Sequence, residues 1–230
     1  MTSSLEKNTV PSYNQLKDAP SCYTLNPDGK GIRVLFVGNS ITLHGIAEQI
    51  GWNHFCGMAA SAPEKDYVHL CMNAFLNYDS EATFAIAQIA DWEREFKNGS
   101  ELLDNYKVCR DFNADVIICR IIENCPGKDF DHQVFKREYK AMLDFFNKSG
   151  KAHIILTTGF WRHPGDCAIK ETSEDLKLTL VDLGDLGEDD SMKAIGEYEH
   201  GGVAQHPNDN GMAHIAQRII DALKSDGILK

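Results

Sequence analysis

Five short apolar runs, at residues 32–37, 83–88, 115–122, 153–158 and 178–183, are separated by intervals long enough for a helix and too long for a hairpin. Antiparallel neighbours can be joined by a tight turn, whereas parallel neighbours need a crossover, usually helical. The spacing therefore predicts an α/β fold: a parallel sheet of about five strands with helices on both faces, a three-layer α/β/α sandwich. Two of the intervening stretches are strongly periodic. Phe135, Tyr139, Met142 and Phe146 recur at helical spacing within 131–147. Residues 209–224 carry Met212, Ile215, Ala216, Ile219, Ile220 and Leu223 on one stripe, and Gly227 supplies the stop.

In such a sheet the carboxyl ends of all parallel strands lie along one edge, where ligands bind. Ser40 follows the first run, Asn124 the third and Trp161 the fourth, and His206 lies in the connection after the fifth. These four can meet at one rim despite their distance in sequence. Ser40 sits in Val37-Gly38-Asn39-Ser40-Ile41-Thr42, a small polar turn that presents a hydroxyl where substrates bind. A serine after a strand also serves as a helix cap or turn residue, and only a base within reach makes it a nucleophile. His206 is the base with the best setting among nine histidines: Pro207 keeps it out of helical geometry, and Asn208 or Asp209 can cap the helix that follows. For the oxyanion of an acyl-transfer intermediate, the main-chain N–H of Ser40 and the side-chain amide of Asn124 are natural donors.

Composition narrows the partners. The 230 residues are 43% hydrophobic, enough for one sizeable α/β core, and the net charge of -11 opposes non-specific binding to nucleic acid or anionic lipid. A small neutral or cationic substrate fits better. Seven cysteines, an odd number without a CxxC pair, read as reduced thiols of a large domain. No apolar leader stands in residues 1–20 and no run is long enough to span a membrane, so the chain reads as soluble and cytoplasmic. Residues 1–30, rich in turn formers such as Asn26-Pro27 and Asp28-Gly29, read as an extended arm whose Tyr13, Cys22, Tyr23 and Leu25 can dock on the body. Residues 31–230 form the domain proper.

Val37-Gly38-Asn39-Ser40-Ile41-Thr42, Glu123-Asn124 and His206-Pro207 fall in the order and approximate spacing of conserved blocks in the SGNH hydrolases, or GDSL-type esterases and lipases. The resemblance covers about residues 31–225 and implies a flavodoxin-like catalytic domain that hydrolyses acyl esters, often acetyl groups on carbohydrates or lipids. By that likeness Ser40 is the nucleophile, His206 the base, and Asn124 with the Ser40 N–H the oxyanion hole, with no cofactor and no metal. Three departures stand out. Asn39 replaces the Asp of the usual Gly-Asp-Ser. Ile122-Glu123-Asn124-Cys125 keeps only the Asn of Gly-x-Asn-Asp. Val203 stands where the last block places an Asp three residues before the His.

The orienting acid of the triad is thus missing from its usual place, and its role must be filled or lost. A main-chain carbonyl in Gly201-Gly202-Val203-Ala204 can accept the Nδ1–H, or Glu197, Glu199 or Glu123 can supply a carboxylate. The alternative is a carbohydrate-binding module that keeps the fold without turnover. The stretch Phe84 to Ala90 lacks the second-block glycine, so its oxyanion donor has no sequence signature. Trp161 and Glu123 are the candidates for substrate contact. The long connection from Ile41 to Pro63, with His44, Trp52, His54 and Phe55, is expected to wall the pocket. The run Asp91-Trp92-Glu93-Arg94-Glu95-Phe96 reads as an ordinary amphipathic helix start without a chemical role. His200, His206, Asp209 and His214 lack the paired spacing of a zinc site, and Gly38-Asn39-Ser40 lacks the Gly-rich loop and Lys of a phosphate cradle.

Overall fold

The computed structural model describes residues 16–19 and 21–230. Its centre is a seven-stranded sheet in the order β1-β2-β4-β3-β5-β6-β7. The strands are β1 (Leu16–Ala19), β2 (Cys22–Leu25), β3 (Arg33–Gly38), β4 (Thr83–Gln88), β5 (Val116–Arg120), β6 (His153–Thr157) and β7 (Thr179–Val181). The five runs expected from sequence are β3 to β7, all parallel. The expected arm supplies two further strands: β1 and β2 pair antiparallel, and β2 joins the free edge of β4 with Cys22 opposite Ala87. Cys22, Tyr23 and Leu25 are buried as their docking required. Tyr13 lies outside the described residues.

Around the sheet lie α1 (Tyr67–Tyr78), the short α2 (Ala90–Arg94), α3 (Gly99–Leu102) and α4 (Lys107–Asp111), then α5 (His132–Phe146), α6 (Asp166–Leu176), the single turn α7 (Gly201–Ala204) and α8 (Asp209–Ser225). Strand alternation assigns the faces. Val34, Phe36, Val116 and Ile118 point to the layer that holds Phe75 of α1 with Ile215, Ile219 and Leu223 of α8. Leu35, Val37, Ile117 and Cys119 point to the layer of Phe135, Tyr139, Met142 and Phe146 of α5, the periodic set read from sequence. Each such aromatic or aliphatic side chain removed from water contributes about 1.5–3 kcal/mol. Asn208 caps α8 by accepting the N–H of Gly211 at 3.0 Å, and Gly227 beyond its end adopts φ 74°. Among the described residues no helix is long and apolar enough to cross a membrane.

The chain passes from β3 to β4 on one side and returns to β5 on the other, so the strand order reverses at β3. The loops that leave the carboxyl ends of β3 and β5 diverge there and open a crevice. Ser40 and Asn124 occupy those two loops.

Candidate active site

Gly38 ends β3 because Thr42 folds back on it: a Cβ at position 38 would lie 1.8 Å from Thr42 Oγ1. The Asn39 carbonyl accepts the N–H groups of Thr42 and Leu43, both at 2.9 Å, and closes the turn. Half-buried Ser40 is left at its apex. Its N–H meets no acceptor among the described residues and is free for a ligand.

His206 arrives from the opposite side. In the single turn α7 the backbone bonds use the carbonyls of His200, Gly201 and Val203, which accept from Ala204, Gln205 and His206, and Gly202 is left over. Orphan carbonyls at a helix end need another donor. His206 Nδ1 supplies it, at 2.7 Å from Gly202 O. A carbonyl only accepts, so Nδ1 carries the hydrogen and Nε2 keeps its lone pair. That lone pair faces Ser40 Oγ at 2.9 Å. Burial pushes the imidazole down to about 4, against the opposing pull of the Gly202 carbonyl and the more distant Glu123 charge. The ring is neutral at neutral pH, the form that accepts a proton. Of the acceptors open from sequence, the main-chain carbonyl makes the contact. Val203 is 1% exposed and belongs to the apolar layer of α1 and α8, so the position usual for the acid is filled by core.

Ser40, Asn124, Gln88 and His206 line one cavity of about 430 Å³. The connection 41–63 walls it as expected, through His44, Ile50 and Met58, whereas Trp52 is fully buried in the core. After β4, the Ile89 N–H is spent on the Gly38 carbonyl at 2.7 Å and the Ala90 N–H on Gln88 Oε1 at 3.2 Å. The second contact fixes the Gln88 amide and leaves its Nε2 hydrogens without a protein acceptor among the described residues. Residue type alone does not mark Gln88 as a donor; the one signal is its place at the end of β4.

Two sequence candidates lie elsewhere. Trp161 does not line the cavity but stands edge-on against the His206 ring, centroids 5.3 Å apart and planes at 85°. Glu123 is buried beneath the turn: its oxygens accept Arg120 Nη1 at 2.5 Å, Asn39 Nδ2 at 2.7 Å and the Phe160 N–H at 2.9 Å. Those contacts hold it away from the cavity lining, and it makes no hydrogen bond to His206. Burial opposes its charge, but the Arg120 guanidinium holds its carboxyl below the ordinary range.

The segment denied a chemical role needs correction. Asp91 and Arg94 line the cavity, and between them Glu93 turns inward with no exposed surface. Its carboxylate accepts Asn39 Nδ2 at 2.9 Å, the Ile122 N–H at 2.6 Å and Asn124 Nδ2 at 2.7 Å. Burial first, then the charge of Glu123, pushes it up to about 7 against those donors. Arg120, also fully buried, bridges Glu123 and Asn39 Oδ1. A cation inside the apolar run 115–122 was the sequence signal for this network. Of the four residues weighed for zinc, three have separate employment: Asp209 holds Ser61 and Lys65, His200 Nδ1 caps α7, and His206 faces Ser40.

No protein-family model and no curated protein sequence matches the chain significantly. Solved structures do match in fold. A two-domain esterase active on acetylated mannans aligns with TM-score 0.57 and 17% identity over 84% of this chain and 49% of its own, so the chain spans about half the length of that protein. A psychrotrophic esterase from Pseudoalteromonas sp., in a structure inhibited by monoethylphosphonate, aligns with TM-score 0.56 and 13% identity over 85% of this chain and 98% of its own. The lipase/acylhydrolase from Enterococcus faecalis gives TM-score 0.56 and 16% identity over 87% and 98%. The chain has the α/β/α fold of GDSL-type esterases and lipases.

Proposed function

We propose that the protein is a serine esterase that removes an acetyl or other short acyl group from an alcohol through a Ser-His acyl-enzyme. The observation that carries this reading is the 2.9 Å contact of Ser40 Oγ with the unprotonated Nε2 of His206 on the wall of a cavity. Ser40 Oγ attacks the ester carbonyl as its proton passes to Nε2, and the imidazolium then gives that proton to the leaving alcohol. Water, deprotonated by the same nitrogen, releases the acid. The Ser40 N–H, with side-chain amides of Asn124 and Gln88 at the same cavity, stabilises the oxyanion. The Gly202 carbonyl plays the orienting part usually given to an acid. It fixes the tautomer, which counters the reading of a binding module emptied of catalysis. A carbohydrate ester is the favoured substrate, supported by the likeness to an esterase active on acetylated mannans and by a net charge of -11 that disfavours anionic esters.

Hydrolysis of p-nitrophenyl acetate and of acetylated oligosaccharides by wild type and Ser40→Ala, the variant checked for folding by circular dichroism, tests the proposal. Turnover by wild type with a loss of about 10³-fold or more in the variant is expected. Equal turnover by a folded variant overturns it.

A further inference from the structure

We propose that Glu93 is a positioning residue of this site: its buried carboxylate ties the nucleophile turn to the Asn124 loop, and its presence sets an amide rather than an acid beside the nucleophile at position 39. The inference rests on the esterase reading and adds to it a residue that never meets the substrate.

Every polar contact of Glu93 is an N–H. Oε1 accepts from Asn39, from the Ile122 N–H and, at 3.5 Å, from the Asn124 N–H, Oε2 accepts from Asn124 Nδ2, and no lysine or arginine pairs with it among the described residues. A buried carboxylate with no cation in hydrogen-bond contact is expensive, the Arg120 guanidinium acting on it only at a distance, and an apolar side chain could fill the same volume at less cost. The contacts identify what the charge achieves. Through Asn39 it holds the residue next to Ser40. Through Asn124 Nδ2 it fixes which end of that amide is nitrogen and engages one of its two hydrogens, leaving the second as a donor. Through the Ile122 N–H it pins a β-branched residue at φ 138°, a backbone conformation that such side chains rarely adopt and that persists only where surroundings impose it.

Asn39 shows the reciprocal constraint. Its Nδ2 hydrogens go to Glu93 and Glu123, and its Oδ1 takes Arg120 Nη2 and the Ile41 N–H. The side chain is saturated, and only an amide can donate and accept in this way. A carboxylate at position 39 would have no hydrogen for either neighbour and would set three buried acids around one guanidinium. The departure from Gly-Asp-Ser is thus explained by the acids at 93 and 123.

The experiment compares Glu93→Gln, Asn39→Asp and the double variant Asn39→Asp/Glu93→Gln in the full chain. Measured are kcat and KM on p-nitrophenyl acetate, melting temperature, and active-site concentration from fluorophosphonate titration. Glu93→Gln should lower kcat per titrated site by about 10- to 100-fold, with KM within about threefold, as expected when an oxyanion donor loses its aim. Asn39→Asp should lose at least as much. The double variant brings the count of buried acids back to two, although the amide placed at 93, its NH2 facing the acid at 39, can no longer accept the Ile122 N–H. It should therefore regain about tenfold in kcat over Asn39→Asp without reaching wild type. A Glu93→Gln enzyme with wild-type kcat per site, or a double variant no better than the weaker single one, overturns the inference. Should Glu93→Gln not fold, Asn39→Asp against the double variant decides in the same way. Hydrolysis that depends on Ser40 but not on Glu93 defeats this inference alone, whereas wild type without turnover or phosphonylation defeats the esterase reading with it.

Discussion

The two halves of the site are held by opposite means. His206 is oriented by one neutral dipole, the Gly202 carbonyl, on a single helical turn at the protein surface. Ser40 stands on a turn braced by a buried set of two carboxylate groups, a guanidinium and the Asn39 amide. Charge has left the side of the base, where a triad usually keeps it, and is concentrated beneath the nucleophile. A dipole is enough to fix a tautomer, because that needs only an acceptor of the right geometry. Fixing the nucleophile turn, the strained backbone at Ile122 and a side-chain donor takes several directed contacts, and buried charges make the stronger ones.

The largest effect should come from breaking the charged half. Arg120→Met leaves Glu123 and Asn39 without their cation, and loss of one partner of a buried pair costs about 3–5 kcal/mol. Urea unfolding should show that fall in stability together with loss of activity; an unchanged midpoint would mean that the network does not brace the turn. Asn124→Ala sits where the network meets the cavity. It should reduce kcat by about 10²–10³-fold, as removal of an oxyanion donor does. If KM changes instead, Asn124 holds substrate and not the oxyanion.

The neutral half is tested by pH. With the ring held down to about 4 by burial, the limb of kcat/KM that belongs to His206 should lie near pH 4, whereas a step near pH 7 belongs to Glu93 and should vanish in Glu93→Gln. The sign for stability follows. Between pH 6.5 and about 4 the unfolded chain takes up a proton that the folded ring refuses, so the His206 contribution to stability is full above 6.5 and lost progressively as pH falls to about 4. Titration of the His206 ring protons by NMR near pH 6.5 would contradict both. The smallest effect belongs to Trp161→Ala. Edge-to-face aromatic contacts are worth about 0.5–1.5 kcal/mol, so kcat should fall by no more than about tenfold. The limb that belongs to His206 should move upward as the ring gains water. A large rise in KM for glycan esters would instead assign Trp161 to substrate.

The same contrast governs what the sequence made legible. The five parallel strands and the helices α5 and α8 could be read because burial on defined faces imposes periodicity. Ser40 and His206 could be read because the proposed acyl transfer needs those residue types at strand mouths. The Gly202 contact was one of several open choices, since a backbone acceptor has no residue signature. Glu93 was passed over because an acid in a short polar helix resembles a solvated face; only the tertiary placement of α2 at the sheet edge turns it inward. The hairpin of β1 and β2 was hidden for a related reason. Its two strands have four residues each, surrounded by turn formers, and β2 is a strand because β4 offers it an open edge.

The central claim is that a neutral imidazole activates one particular hydroxyl. Intact-protein mass spectrometry after treatment with a fluorophosphonate, followed by peptide mapping, tests it most directly. A single adduct on Ser40, formed rapidly in wild type, much more slowly in His206→Ala and not at all in Ser40→Ala, is the expected result. No adduct on folded wild-type protein, or an adduct that persists in Ser40→Ala, would contradict the account.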